Sequence, residues 1–400
     1  MRALTSRLGP PAADRSSGTA WAYRVKWLAL VAAVVVALAL PYLVTAFWVN
    51  IATQALIFGL FALSINLISG YGGMITLGQA GLLGVAGYGV AILTTHNGWP
   101  LGAAVVAALL MCALASAFFG ALAVRARGTY FVMITLAEGM VVWGIAQRWG
   151  DLTGGENGIP GIPKPSFALA YWQYYWFALA VVAVCTVLIA RLVRSPFGLS
   201  LKGIREAEDR LAPLGYHVAV HKLIAFTISG IFAGVAGVLL AMYNNFIGPS
   251  DVFFLASAAG LLMSILGGIG TLTGAYVGAA IVIIIENWVS SHFERWQTLL
   301  GVVFVLVILF APDGIVGAWT RLVWAPLLRR LGAEKEAVAA QTAATSAAGA
   351  TVAAGGTGPA VADGDGRTRG PAGAAAGASG RAQSQMTRGE TEPDQEGARR

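Results

Sequence analysis

Charge is scarce in this chain: only 11% of its 400 residues are Asp, Glu, Lys or Arg, against about 25% in soluble globular domains. So little charge cannot cover a water-exposed surface, which excludes an ordinary cytosolic enzyme. Cysteine is rarer still. The two present, Cys112 and Cys185, both lie in apolar stretches where a thiol behaves as a small hydrophobe, so a disulfide scaffold and redox chemistry are unsupported. The four histidines are scattered, with His96 and His292 at the ends of apolar runs and His217 and His221 in a polar loop. No Cys/His/Asp cluster at ligand spacing is present, and no metal site is expected. Also missing are a phosphate-cradling G-x-x-x-x-G-K-[ST] loop, a nucleophile elbow and an H-E-x-x-H helix. Neither a catalytic centre nor a cofactor is expected, and any ATP that drives this protein must be hydrolysed by another chain.

Hydrophobic residues make up 57% of the sequence, with a mean hydropathy of +0.71. Their long runs recur over the first 320 or so residues, too many for one buried core, so they need lipid as their solvent. A bilayer core about 30 Å thick takes about 20 helical residues to cross. On that measure the sequence predicts an all-α polytopic bundle with ten spans, near 27–47, 51–69, 74–95, 101–124, 130–147, 174–193, 222–243, 252–266, 274–290 and 297–312. The eighth and ninth are short and flank Gly267–Gly270, which suits broken or partial helices. Lys and Arg resist translocation and mark the cytoplasmic side. With the amino terminus inside, 23 of the 26 basic residues fall inside and only Arg148, Lys164 and Arg295 fall outside. Both termini are therefore expected in the cytoplasm. The first run continues past Pro41 to Trp48, longer than the 7–15 apolar residues of a signal peptide, so it reads as a retained anchor.

The chain divides accordingly into a cytoplasmic segment 1–26, a membrane domain 27–318 with an inner loop 194–221, a basic juxtamembrane strip 319–331 and a tail 332–400. The tail is rich in Ala, Gly, Thr and Ser and nearly free of aromatic residues, which predicts disorder. It carries seven basic and eight acidic residues, so the net positive charge belongs to the membrane domain. There it serves topology, and no nucleic-acid partner is expected.

Two glycine-dense patches stand out, Gly70–Gly89 and Gly267–Gly278. Small residues let helices approach closely, and a broken helix can also line a path; both readings stand, and the shared composition hints at an internal repeat. Candidates for the translocation path are Asn66, Gly78, Gln79, Glu138, Gly268 and Gly270. A charge at mid-span costs roughly 2.5–3.5 kcal/mol on insertion scales, so Glu138 and Glu286 should face the bundle interior or be protonated. Either contact with solute or structural hydrogen bonding would meet that demand. In the inner loop, Leu201, Ile204, Leu211 and Leu214 recur at helical spacing among charged residues, predicting an amphipathic helix ending at Pro213 and Gly215. The stretch 195–221 has three basic and three acidic residues, a neutral mix that gains little from anionic lipid and suits a protein partner.

Ser195-Pro-Phe-Gly198, Ile204-Arg-Glu206, Leu214-Gly215 and Lys222-Leu-x-Ala225-Phe226 together resemble the cytoplasmic coupling segment of branched-chain amino acid ABC importer permeases of the LivM type, to which urea-type permeases are closely related. Three further blocks agree: Gly128-Thr-Tyr-Phe131 with Thr135-Leu-Ala137, Leu152–Ile159, and Leu266–Gly274. The resemblance covers about residues 50–318. It implies a membrane subunit paired with a second, related permease, two ATPase subunits and an extracytoplasmic binding protein. Ile204, Arg205, Glu206, Leu214 and Gly215 would lie in the segment that contacts the ATPase. Thr153, Gly154, Gly155, Asn157 and Gly158 would face the binding protein. Family members often carry T-L-A-F-[AG]-E where this chain has Thr135-Leu-Ala-Glu138-Gly-Met140, which moves the carboxylate about 200° around the helix. The expected function is transport of branched-chain amino acids or a similar small polar solute by alternating access. Urea or short amides are the alternative solutes, and a self-sufficient secondary transporter or channel using Glu138 is the alternative mechanism.

Overall fold

The computed structural model describes residues 38–289, except 212 and 214, together with 302, 305 and 314–319. Besides one-turn helices at Gly150–Thr153 and Pro249–Val252 and the helical residues 38–43, its helices are α1 (Ala46–Asn66), α2 (Gln79–Thr95), α3 (Leu101–Ala123), α4 (Thr129–Arg148), α5 (Tyr171–Arg194), α6 (Pro196–Leu211), α7 (Val218–Asn244), α8 (Phe254–Gly267), α9 (Leu272–Ile284) and α10 (Gly314–Trp319). Among the described residues, α1 with its π-helical end Leu67–Tyr71, α3, α4, α5 and α7 are long and apolar enough to cross a membrane, and α8 with α9 adds a sixth if that bent pair is one span.

The membrane environment is written into the packing of α3. Its buried positions are Ala104, Ala108, Cys112, Ser116, Gly120 and Ala123, a stripe of small residues close to helical spacing. Val106, Leu110, Leu114 and Phe118 point outward. Large apolar residues outside and small ones inside is the arrangement expected where lipid is as apolar as leucine and helices associate by close approach. The small stripe seats α3 between α2 and α7. Cys112 Sγ lies 3.3 Å from the carbonyls of both Leu82 and Gly230, and a Cβ at Gly234 would sit 2.7 Å from that sulfur. Both cysteines are buried and free.

Several expected span edges move. Residues 27–37 of the expected first span and most of 297–312 lie outside the described residues, as do the segments 1–26, 320–331 and 332–400. The helical residues 38–43 end at a break at 44–45, and α1 begins at Ala46, so the edge expected near residue 47 lies earlier. The third expected span corresponds to α2, which starts at Gln79 rather than residue 74 because residues 72–78 run as an irregular segment after the π-helical turn, and which at 17 residues is shorter than the helices long enough to cross a membrane. The eighth and ninth are broken as anticipated, with α8 and α9 meeting at 118°. The all-α expectation needs one addition, an antiparallel pair of two-residue strands, β1 (Ile159–Pro160) with β2 (Phe246–Ile247).

The inner-loop helix forms as α6, with Leu201 and Ile204 buried. It is not continuous: Ala207 has φ −157° and ψ 73°, a kink that divides it. The helix stops at Leu211, two residues before Pro213, whose ring lacks a backbone donor.

Candidate translocation and coupling site

The two glycine patches, two hundred residues apart in sequence, meet in space. At the end of α1 the chain passes through Leu67–Tyr71, and at the α8–α9 corner through Gly268–Thr271. A Cβ at Gly70 would lie 2.6 Å from the Gly270 nitrogen, so a side chain there has no room. Asn66 bridges the two: its Oδ1 accepts from the Gly270 amide at 2.7 Å, and its Nδ2 donates to the Thr271 carbonyl at 2.7 Å. A helix break in lipid leaves backbone groups that protein must satisfy, and here one carboxamide satisfies a donor and an acceptor of the other break. Gly268, at φ +120°, makes the corner itself.

Gly78 and Gln79 open α2 against α4. A Cβ on Gly78 would lie 2.2 Å from the Thr135 carbonyl oxygen, and the Leu77 amide donates to Thr135 Oγ1 at 3.3 Å. Gln79 Nε2 donates to Ser229 Oγ at 3.2 Å, and that hydroxyl donates to the Ser64 carbonyl at 2.6 Å. The Ala80 amide donates to Ser257 Oγ at 2.8 Å. A polar seam thus runs from α1 through α7 to α2 and on to α8. Glu138 lies on the buried face of α4, with Phe131, Thr135 and Gly139, so it faces the bundle as anticipated. Among the described residues, Glu138 Oε1 and Gln79 Oε1 have no hydrogen-bond partner. Glu286 is half-buried on the π-helical turn Ile285–Val289 that continues α9.

The coupling candidates divide. Ile204 is buried, Glu206 is exposed and Gly215 has φ +86° with open space around it. Leu214 lies outside the described residues. Arg205 is exposed as well, but its Nη1 reaches the bundle and donates to the Gly70 carbonyl. Glu208, which the sequence did not single out, forms ion pairs with Lys222 at 2.7 Å and Arg127 at 3.3 Å, although the Lys222 side chain is only 8% exposed. A buried ammonium is tolerable only when paired, and nothing in the local periodicity reveals a partner fourteen positions away.

Between α4 and α5, the Thr153–Gly158 loop is braced rather than free. Thr153 is buried, and its Oγ1 donates to the Ala146 and Trp149 carbonyls. Gly154, Gly155 and Gly158 all have positive φ. Of the five docking candidates only Asn157 is exposed, beside Glu156, whose carboxylate accepts from Gln147 Nε2 at 3.0 Å. β1 ties the end of this loop to the α7–α8 connection, where Asn245 Nδ2 donates to the Ile162 carbonyl at 2.9 Å. On that connection burial pushes the Asp251 carboxyl above its ordinary value, while the bond it accepts from the Gly248 amide pulls partly the other way.

Residues 47–312 match the family described as branched-chain amino acid transport system / permease component. The chain is 32% identical to the high-affinity branched-chain amino acid transport system permease protein LivM of Escherichia coli K12, over 72% of this chain and 74% of that one. It is 26% identical to a probable branched-chain amino acid transport permease protein LivH of Methanocaldococcus jannaschii, over 48% of this chain and 65% of that one. With the autoinducer 2 import system permease protein LsrC of Enterobacter sp. (strain 638) it shares 31% identity, over 50% of this chain and 58% of that one. No solved structure matches. This multi-pass membrane protein belongs to the branched-chain amino acid transport permease family.

Proposed function

We propose that the chain is the permease subunit of an importer that carries branched-chain amino acids across the cytoplasmic membrane. The observation that carries the reading is the 32% identity over 74% of a relative named for high-affinity branched-chain amino acid transport. In this reading it pairs with a second, related permease, two ATPase subunits and an extracytoplasmic binding protein. The chain crosses the membrane ten times with both termini in the cytoplasm, which the 23-to-3 partition of basic residues favours. The strip from Ile204 to Gly215 is the ATPase coupling segment, in which Glu206 meets the ATPase. Asn157, with the Thr153–Gly158 loop around it, meets the binding protein.

The path runs beside the polar seam of Asn66, Gly78, Gln79 and Glu138 and the corner Gly268–Gly270. Buried acceptors without partners, Gln79 Oε1 and Glu138 Oε1, are suited to the ammonium of an amino acid, because an unpaired buried acceptor costs about 1–3 kcal/mol until a donor reaches it. Alternating access follows from ATP-driven movement of the partner ATPases acting through α6.

The test is uptake by proteoliposomes holding the assembled importer. ATP-dependent accumulation of leucine, with urea and short amides excluded, is expected. Accumulation by this chain alone in ATP-free liposomes contradicts the reading and favours a self-sufficient transporter.

A further inference from the structure

Polar contacts tie α6 to the bundle on either side of its kink. On one side, Arg205 Nη1 donates to the Gly70 carbonyl, and the Arg205 stem lies on Gly73, where a Cβ would meet Arg205 Cγ at 2.7 Å. On the other side, Glu208 is held by Lys222 at the start of α7 and by Arg127 in the α3–α4 turn. Ala207, the residue outside the helical range, stands between the two attachments. The first half of α6 is therefore fixed to the broken end of α1, and the second half to other spans.

Gly70 is itself the residue that touches the second break. Its neighbour across the gap is Gly270, and Asn66, one turn earlier, holds Gly270 and Thr271 by their backbone. Movement of α6 about its Glu208 attachment reaches the broken end of α1 through the Arg205 guanidinium on Gly70, the Arg205 stem on Gly73 and the Lys202 ammonium 5.4 Å from the Tyr71 ring, and through Gly70 reaches the contact between the breaks. A cavity of about 450 Å³, lined by residues 72–75 together with Arg127, Arg205 and Glu208, adjoins this attachment. Residues 72–75 have space to shift on that side.

We propose that Arg205 is a positioning residue for transport, passing movement of α6 to the Gly70–Gly270 contact, and that it does not grip the ATPase. Both side chains are exposed, but the Arg205 guanidinium donates to the Gly70 carbonyl whereas the Glu206 carboxylate makes no hydrogen bond or ion pair among the described residues, which leaves Glu206 for a different partner. A planar guanidinium presents several donors in a fixed fork, and lysine keeps one charge-bearing donor on a shorter reach. The inference rests on the permease reading above.

The test uses the complete importer, with this chain as wild type, Arg205→Ala, Arg205→Lys or Glu206→Ala. Arg205→Ala is expected to co-purify with the ATPase subunits at wild-type stoichiometry and to hydrolyse ATP within twofold of wild type, while uptake falls at least tenfold. Arg205→Lys is expected to recover part of the uptake, and Glu206→Ala to weaken ATPase association instead. Hydrogen exchange of amides 70–75 should be faster in Arg205→Ala and unchanged in Glu206→Ala, a readout that ATPase docking alone would not move. Loss of the ATPase subunits from Arg205→Ala with wild-type exchange at 70–75, or wild-type uptake by that variant, overturns the proposal. If Arg205→Ala fails to insert, Arg205→Lys decides: retained ATPase with reduced uptake supports it, and displaced ATPase overturns it. A wild-type complex without ATP-dependent uptake would strike the permease reading, so the two failures are distinguishable.

Discussion

Asn66 concentrates the account's physical chemistry in one side chain, because it fills a donor and an acceptor on a helix break 204 and 205 residues away. Removing the carboxamide leaves the Gly270 amide and the Thr271 carbonyl short of a partner, at about 1–3 kcal/mol for each group left buried and unpaired. Asn66→Ala is expected to lower the melting temperature in detergent, and an unchanged midpoint would contradict the bridging role. Asp251 gives a prediction in pH. Its folded carboxyl titrates above the ordinary value of 3.8 because burial disfavours the charge. The folded state thus holds the proton more tightly than the unfolded one. The contribution is complete below the unfolded value and is lost as pH rises through the raised one. Asp251→Asn keeps an acceptor for the Gly248 amide, so at pH 7 it should match or exceed wild-type stability, with the advantage gone near pH 4. A wild type that gains stability relative to the variant as pH rises from 4 to 7 would refute this. At this scale the sequence identified Asn66, Gln79 and Glu138 as unusual because polar groups inside a span are rare. It could not show that Arg205 bonds to the bundle while Glu206 beside it does not, since both lie on one helix and the difference comes from what the end of α1 presents to it.

Elements obey the same rule in larger form. In α3 the small residues buried against α2 and α7, and the large ones facing outward, are legible as an apolar run, but the face each takes depends on tertiary neighbours. Ala108 sits where a Cβ on Gly89 would approach its own at 3.0 Å, so Ala108→Leu forces the helices apart and is expected to cost about 1–3 kcal/mol, as overpacking does. Leu114, 72% exposed, faces lipid, and Leu114→Ala should shift thermal stability far less. Equal effects for the two substitutions would undermine the assignment of faces. The α8–α9 break was readable from Gly267–Gly270, whereas the kink at Ala207 was not, because alanine is a strong helix former and no glycine or proline stands there. The ion pairs of Glu208 are consistent with an α6 divided at that point, and they join residues from three separate stretches of sequence.

For the whole molecule, hydropathy and the partition of basic residues carried the class, and the coupling-loop motifs carried the family. How the two glycine patches meet was beyond one-dimensional reading, since that contact is set by α1 packing against α9. The central claim is that this membrane bundle is moved by an ATPase held at the strip between α5 and α7. Because the chain's two cysteines are both buried, a single reactive thiol can be placed at that strip by Glu206→Cys. Site-directed crosslinking in the assembled importer is the most direct measurement: the account predicts a covalent adduct between this position and an ATPase subunit, with labelling only by reagents that reach the cytoplasm. Labelling from the outer face, or an assembled, transporting complex in which the thiol never joins an ATPase subunit, would contradict it.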